Sequence, residues 1–258
     1  MTTLTDLEIE AEVRKGRLIT AEYEKNNLHQ ACYELRMGNV YYDLTEGDAR
    51  IEVQRGKKIL IKPLHRVVLI TKEDLSIPAN MLARITSKGS LFSVGLSPVS
   101  TYADPGFSGQ IGIVTQNISD KYIELPIGEP VAKIEFSLLS GAVDKPYQGQ
   151  HGFQTHIWPI KHQLQRTYDD VKNDSRVRDE LAEAYQVTPA ATVRLLKYMH
   201  SQQRWVLGVG VLSVVSNVLV LIFASVKAVD AALGLLMNLV ASALIAGLVF
   251  FRKPPWER

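Results

Sequence analysis

Cysteine is almost absent from this chain. Cys32 stands alone among 258 residues, so no intrachain disulfide can form and a disulfide-stapled secreted scaffold is excluded. Excess charge of either sign is also missing. The 29 basic residues meet 27 acidic ones, giving a net charge of +2 with no long basic run, and this removes nucleic acid from the expected partners. There is no G-x-x-x-x-G-K-[ST] phosphate loop, no G-x-G-x-x-G after a strand, and no Cys and His set at metal-ligand spacing. His151, His156 and His162 lie close in sequence without a thiol or acidic partner and read as loop residues. Ser90 and Ser93 lack a His and Asp pair, so nucleophilic catalysis has no support. The opening MTTLTDLEIEAEV lacks the basic start, apolar stretch and small-residue cleavage site of a signal peptide, so the soluble part is expected on the cytosolic side.

The residues that are present divide the chain into three. Near the start, Thr5 and Glu8 form a capping box, Leu4 and Ile9 flank it as a staple and Gly16 marks a stop, predicting a helix over about Asp6–Lys15. From Leu28 the pattern turns to short extended runs broken by turn residues: YELRMGNVYYDL, KKILIKPLHRVVLIT, QIGIVTQN and PVAKIEFSLL. In the last, Ala132, Ile134, Phe136 and Leu138 alternate with Lys133, Glu135 and Ser137, the period of a half-buried antiparallel strand. Many short strands with Gly and Pro punctuation predict a mainly β domain, a distorted β-barrel, over 1–160. Residues 161–204 are polar and helical. Val177, Leu181 and Ala184 are placed as a stripe within SRVRDELAEAY, and Thr188 is placed as the cap of a further helix with Pro189 at its first position. No stop signal follows, so that helix is expected to run on into the third part, 205–258.

Between Arg204 and Arg252 the only charges are Lys227 and Asp230. The uncharged segments 205–226 and 231–251 are each long enough, at 1.5 Å per residue, to cross a hydrocarbon core of roughly 30 Å. Two transmembrane α-helices in a tight hairpin are the expectation, with a buried hairpin in a soluble core as the alternative. Arg194, Lys197, Arg204, Arg252, Lys253 and Arg258 flank the pair while the linker carries Lys227 beside Asp230, so both termini are expected in the cytoplasm of a two-span membrane protein, with Trp205 and Trp256 as interface anchors. Asn217 and Asn238 fall at equal depth in such a hairpin. They read either as packing amides, bonded to each other or to a neighbouring subunit, or as the lining of a polar path.

Six segments, in order, carry a likeness: LTDLEIEAEVRKGRLI at the start, ACYELRMGN at 31–39, EDLSIPANMLARITSKGSLFSVGL at 73–96, YADPGFSGQIGIVTQN at 102–117, LPIGEPVAKIEF at 125–136 and PYQGQHG at 146–152. Over Leu4 to about Trp158 the chain resembles the dCTP deaminase and trimeric dUTPase superfamily, closer to the deaminase branch. The resemblance implies a distorted, dUTPase-like barrel, a homotrimer and nucleotide sites between subunits. Where the family reads R-S-S-L-A-R-x-G-L, this chain has KGSLFSVGL. Lys88 stands for the leading arginine, while Gly89 and Ser93 replace the catalytic serine and second arginine. The strand after the turn supplies a proton-carrying glutamate in the family, and that position is Val114 here. No Asp or Glu occurs between Asp104 and Asp120, so a shifted alignment does not restore it.

Lys88, Ser90, Asp104, Tyr147 and Gln150 match the family's nucleotide-holding positions, and Asp104 is the single catalytic candidate if activity survives. Other readings stay open: Asp104 before Pro-Gly is also a common turn initiator, and Lys88 can be a solvated loop residue. The resemblance implies no cofactor for the protein itself, Mg²⁺ entering only with a bound nucleoside triphosphate. The expected function is a membrane-anchored, cytosol-facing, catalytically inactive nucleotide sensor or effector, in bacterial stress or phage defence. The alternative is a membrane-tethered dCTP deaminase or dUTP pyrophosphatase of deoxynucleotide metabolism.

Overall fold

The computed structural model describes residues 2–47, 49–54, 56–149, 158–225 and 230–250. They form two compact units, Met1–His162 and Gln163–Arg258.

The first unit is mainly β. Its strands are β1 (Thr2–Thr3), β2 (Leu18–Ala21), β3 (Leu28–His29), β4 (Cys32–Asp43), β5 (Arg50–Glu52), β6 (Lys58–Ile61), β7 (Arg66–Thr71), β8 (Asp74–Ser76) and β9 (Met81–Ser87). They continue as β10 (Ser100–Ala103), β11 (Ser108–Gly109), β12 (Gly112–Gln116), β13 (Ile123–Pro126) and β14 (Pro130–Leu138). The main sheet runs β10-β9-β14-β4-β7-β12, with β1, β3 and β5 paired off this path; β11-β8-β2 and β13-β6 form two smaller sheets. The two ends of the long path approach each other. Leu96 bridges Asn117, the Ser97 N–H donates to the Gln116 carbonyl at 2.8 Å, and the Thr115 hydroxyl donates to the Ser97 carbonyl at 2.9 Å. A sheet whose first and last strands meet in this way is a nearly closed barrel, which removes most of the unpaired edge.

The alternation in β14 works as expected up to its end. Ala132, Ile134 and Phe136 are fully buried, but Leu138 is 39% exposed, because it lies at the strand terminus between the short β1 and the first residue of β9. Leu35, Met37, Ile59, Ile61, Leu69 and Ile85 fill the same interior. Helix α1 (Asp6–Arg14) has both halves of its capping box, and Leu4 and Ile9 are buried on either side of the cap. A second, outer cluster forms where Val40, Tyr42, Val68 and Ile70 meet Trp158. The rings of Tyr42 and Trp158 lie 5.7 Å apart. A Cβ on Gly112 would sit 2.5 Å from the Trp158 ring, so only glycine lets that ring lie on β12.

The second unit is helical: α3 (Tyr168–Val171), α4 (Glu180–Val187), α5 (Ala190–Ser225) and α6 (Ala231–Phe250), the short α2 (Gly89–Ser93) belonging to the first unit. Two sequence expectations need correction here. Val177 is not on a helix with Leu181 and Ala184, because Asp179 caps α4 through the Ala182 N–H and starts it after Val177; Leu181 is exposed. Thr188 does not cap α5. Its hydroxyl donates to the Ala184 carbonyl at 2.7 Å and is spent on the preceding helix, while the Pro189 carbonyl accepts from the Val193 N–H.

Helix α5 passes without a break from the polar segment into the uncharged run. Among the described residues it is the one helix long and apolar enough to cross a membrane, over Ala190–Phe223. Helix α6 follows Asp230, whose side chain accepts from the Ala232 N–H, and packs against α5, with Gly234 beside Val220. Its apolar stretch is counted over Ala232–Ala243 among the described residues, so one helix of spanning length is shown and the second of the two expected spans is not. Among the described residues, Asn217 Oδ1 is buried without a hydrogen-bond partner. Lys227, Arg252, Lys253, Trp256 and Arg258 lie outside the described residues.

Candidate functional site

The segment YADPGFSG builds a tight turn whose geometry follows from three residues. The Phe107 N–H donates to the Asp104 carbonyl at 2.9 Å, Pro105 occupies the position that favours its fixed φ, and Gly106 has φ +92°. This is a type II turn, in which the third position needs positive φ. A Cβ there would also lie 2.7 Å from Pro146 Cβ and 2.9 Å from the Tyr147 nitrogen, so glycine is required twice over.

That close approach docks the segment around Tyr147 onto the turn. The Tyr147 N–H donates to the Pro105 carbonyl at 2.7 Å, and the Phe107 and Tyr147 rings lie 5.9 Å apart. The turn is anchored from behind by a reciprocal pair: the Gly106 N–H donates to Ile77 and the Ile77 N–H donates to Phe107. Asp104 and Tyr147 are thereby brought together, with Asp104 exposed at the rim. Gln150 lies outside the described residues, as do His151 and His156.

Lys88 and Ser90 sit elsewhere. Lys88 follows β9 and precedes α2, whereas Asp104 follows β10, and the two strands pair antiparallel with Ala83 opposite Ala103. Five residues of β9 separate that register from Lys88, roughly 16 Å of ladder. Within one chain the four described candidates, Lys88, Ser90, Asp104 and Tyr147, therefore fall in two groups at opposite ends of the β9–β10 pair.

Lys88 is not a solvated loop residue. Its ammonium donates to Glu34 Oε2 at 2.8 Å, with the two side chains 22% and 13% exposed. Sequence reasoning missed Glu34, since cross-strand partners are set by register. Ser90 and Ser93, with Phe92, Val94 and Tyr122, line an open cleft of about 870 Å³ between α2 and the 119–129 segment; Asp104 and Tyr147 do not reach it. The Ser93 hydroxyl donates to the Ser90 carbonyl at 2.6 Å.

Val114 lies in the middle of β12, opposite Val68, with its side chain 45% exposed on the outer face. Its neighbours Ile113 and Thr115 point inward. The strand thus presents an aliphatic group at this point, and a valine side chain neither accepts nor donates a proton.

A buried ionic cluster behind the barrel was also invisible in the sequence. Arg36 Nε donates to Glu73 Oε1 at 2.7 Å, the Arg36 backbone N–H donates to Glu73 Oε2 at 2.9 Å, and the guanidinium also meets Glu24 and the Glu22 carbonyl. Burial acts to lower the guanidinium pKa, but bonding and attraction to Glu73 and Glu24 outweigh it and raise the pKa. Among the described residues one group of three metal-capable side chains occurs, Asp43, Glu46 and His65. Its members are engaged by one another, by backbone N–H groups and by Lys62, and it lies at the far end of β4 from Glu34. It does not fit a magnesium ion accompanying a nucleotide held at Lys88.

The first unit is thus a mainly β, nearly closed barrel with a DPGF turn and a docked Pro146-Tyr147 segment. Residues 3–139 match the family of dCTP deaminase-like domains, and the chain belongs to that family. It is 27% identical over 172 residues to the dUMP-forming dCTP deaminase of Dictyoglomus thermophilum, covering 59% of this chain and 89% of that protein. It is 27% identical over 146 residues to the dCTP deaminase of Pyrococcus furiosus, covering 57% and 91%. The solved 2'-deoxycytidine 5'-triphosphate deaminase from Agrobacterium tumefaciens aligns at 16% identity with a TM-score of 0.45, over 53% of this chain and 49% of that chain, a likeness too loose to carry weight.

Proposed function

We propose that this chain is a membrane-anchored, cytosol-facing nucleotide-binding protein that has kept the deaminase-like fold and lost the reaction. The observation that carries this reading is Val114: an exposed aliphatic side chain on β12, in a segment with no carboxylate from Pro105 to Ser119. General acid–base catalysis supplies on the order of 10²- to 10⁴-fold, and its loss, with Gly89 and Ser93 in place of two further catalytic groups, leaves little rate.

The ligand class is a deoxynucleoside triphosphate, the kind of molecule named for the relatives. The separation of the two groups supports completion of the binding site between copies, Lys88 and Ser90 of one subunit meeting Asp104 and Tyr147 of a neighbour in a homotrimer, with Gln150, which lies outside the described residues, as a further ligand-binding candidate. Magnesium would come with the triphosphate, on phosphate oxygens. Helix α5 anchors the chain in the membrane, α6 is its second span, and both termini face the cytoplasm. The uninterrupted α5 supports a role in passing the ligand state of the barrel to the spans. Domain boundaries near residues 160 and 204 follow from this reading, as does a role in bacterial stress or phage defence.

The test is a thermal-shift screen of the full chain in detergent with dCTP, dUTP and other nucleotides, run beside assays for ammonia and pyrophosphate release. Stabilisation without product is the expected result. Turnover at ordinary enzymatic rates would overturn the inactive reading, and the absence of any nucleotide-dependent shift would overturn the ligand-binding one.

A further inference from the structure

The geometry points to a binding site for an anionic phospholipid on α5, a reading that rests on α5 being a membrane span. Lys197, His200, Ser201, Arg204 and Trp205 recur at helical spacing and share one face of α5 immediately before the uncharged run. With Tyr185 of α4 they line a cleft of about 460 Å³. Lys197 Nζ lies 5.3 Å from the centre of the Tyr185 ring, a cation–π contact that holds the ammonium on the cleft wall. No carboxylate lines the cleft, and among the described residues none pairs with Lys197 or Arg204. Two permanent cations, an imidazole and a hydroxyl thus converge with no counter-ion, the chemistry that receives a phosphate group.

An independent feature identifies the source of that phosphate. One to three turns further along, Leu207, Gly210, Val211 and Val214 line a shallow groove that is apolar almost throughout. It lies on the side of α5 that carries Lys197, His200 and Arg204, at spacings of three, four and seven residues from Arg204 and Leu207. Gly210 opens the groove by lacking a side chain. A phosphate cleft at the end of an uncharged helix, continued by an apolar groove, matches a phospholipid with its headgroup at the interface and an acyl chain against the helix. A free phosphate would use the cleft alone.

The test reconstitutes the full chain into vesicles of phosphatidylcholine with one quarter phosphatidylglycerol, re-extracts it in mild detergent and measures the lipid retained per protein. Parallel arms use phosphatidylcholine alone, and mixed vesicles with millimolar inorganic phosphate. Phosphatidylglycerol should be retained about fivefold above its share of the bilayer, undisturbed by phosphate. K197Q/R204Q and G210L should each return to the bulk ratio, the first by losing charge and the second by filling the groove, whereas K197R/R204K should keep the enrichment. Bulk ratio in the wild type, loss in K197R/R204K, or displacement by inorganic phosphate overturns the lipid site. Failure of the wild type to float with neutral vesicles overturns the span reading and the lipid site with it, whereas flotation without enrichment overturns the lipid site alone.

Discussion

The ammonium of Lys88 is bound by Glu34 at 2.8 Å, across the gap between the end of β9 and the start of β4. A triphosphate approaching Lys88 must displace this carboxylate or be repelled by it. Charge-assisted bonds between partly buried groups contribute about 1.5–3 kcal/mol before the cost of desolvation. Glu34→Gln is therefore expected to tighten deoxynucleoside triphosphate binding by about 3- to 10-fold in calorimetric titration, and Lys88→Ala to weaken it by at least as much. Unchanged affinity in both variants would remove Lys88 from the binding site.

Gly106 carries the turn under Asp104 and the docked Tyr147 segment together. Gly106→Ala puts a side chain at φ +92°, with its Cβ 2.7 Å from Pro146. Strain of this kind costs about 1–3 kcal/mol. A fall in melting temperature of roughly 3–10 °C for the barrel is expected in calorimetry, together with reduced nucleotide binding if Tyr147 serves the site.

The Arg36–Glu73 pair is buried on both sides. Glu73→Ala leaves a guanidinium in the interior with the exposed Glu24 and the neutral Glu22 carbonyl to answer it, and removal of one partner from a buried pair costs about 3–5 kcal/mol. Chemical denaturation should show a loss near the lower figure, because Glu24 remains. A loss below about 1 kcal/mol would mean that water reaches the cluster.

Acid should weaken α1 selectively. Glu8 is held below the usual carboxylate range by the Thr5 backbone N–H and then the Thr5 hydroxyl; Glu10 is held low by Arg14 and Lys25, and Glu12 by Lys15 despite some burial. A depressed folded-state pKa means that the stabilisation is present above the unfolded value, near 4.5, and is lost as pH falls through the lower folded values. The melting temperature should be flat from pH 7 to about 5 and fall below it. Thr5→Ala should lower it by roughly 1 kcal/mol equivalent at neutral pH and flatten the acid limb, which differential scanning calorimetry across pH 3–7 will register.

Local and periodic features were legible from the residues alone. The capping box at Thr5 and Glu8, the alternation through Phe136, the Pro-Gly turn after Asp104 and the uncharged run after Arg204 each depend on neighbours a few positions away. Backbone geometry at that range is set by hydrogen bonds and sterics inside the segment. The absence of a carboxylate around Val114 needed only the order of the letters. Thr188 shows where local reading stops: its hydroxyl had two helix ends within reach, and the competition was decided by bond geometry.

The tertiary structure decided whatever depends on register and closure. Lys88 meets Glu34 because β14 lies between β9 and β4 in the sheet order, and the Arg36–Glu73 pair forms because β4 and the end of β7 lie side by side. No sequence period encodes such partners, since they are separated by tens of residues and selected by the packing of the whole barrel. The division of the candidate site into two ends of the β9–β10 ladder has the same origin. The resemblance named the candidate positions; the antiparallel register, imposed by burial of alternate side chains, put Lys88 and Asp104 at opposite ends of the β9–β10 ladder.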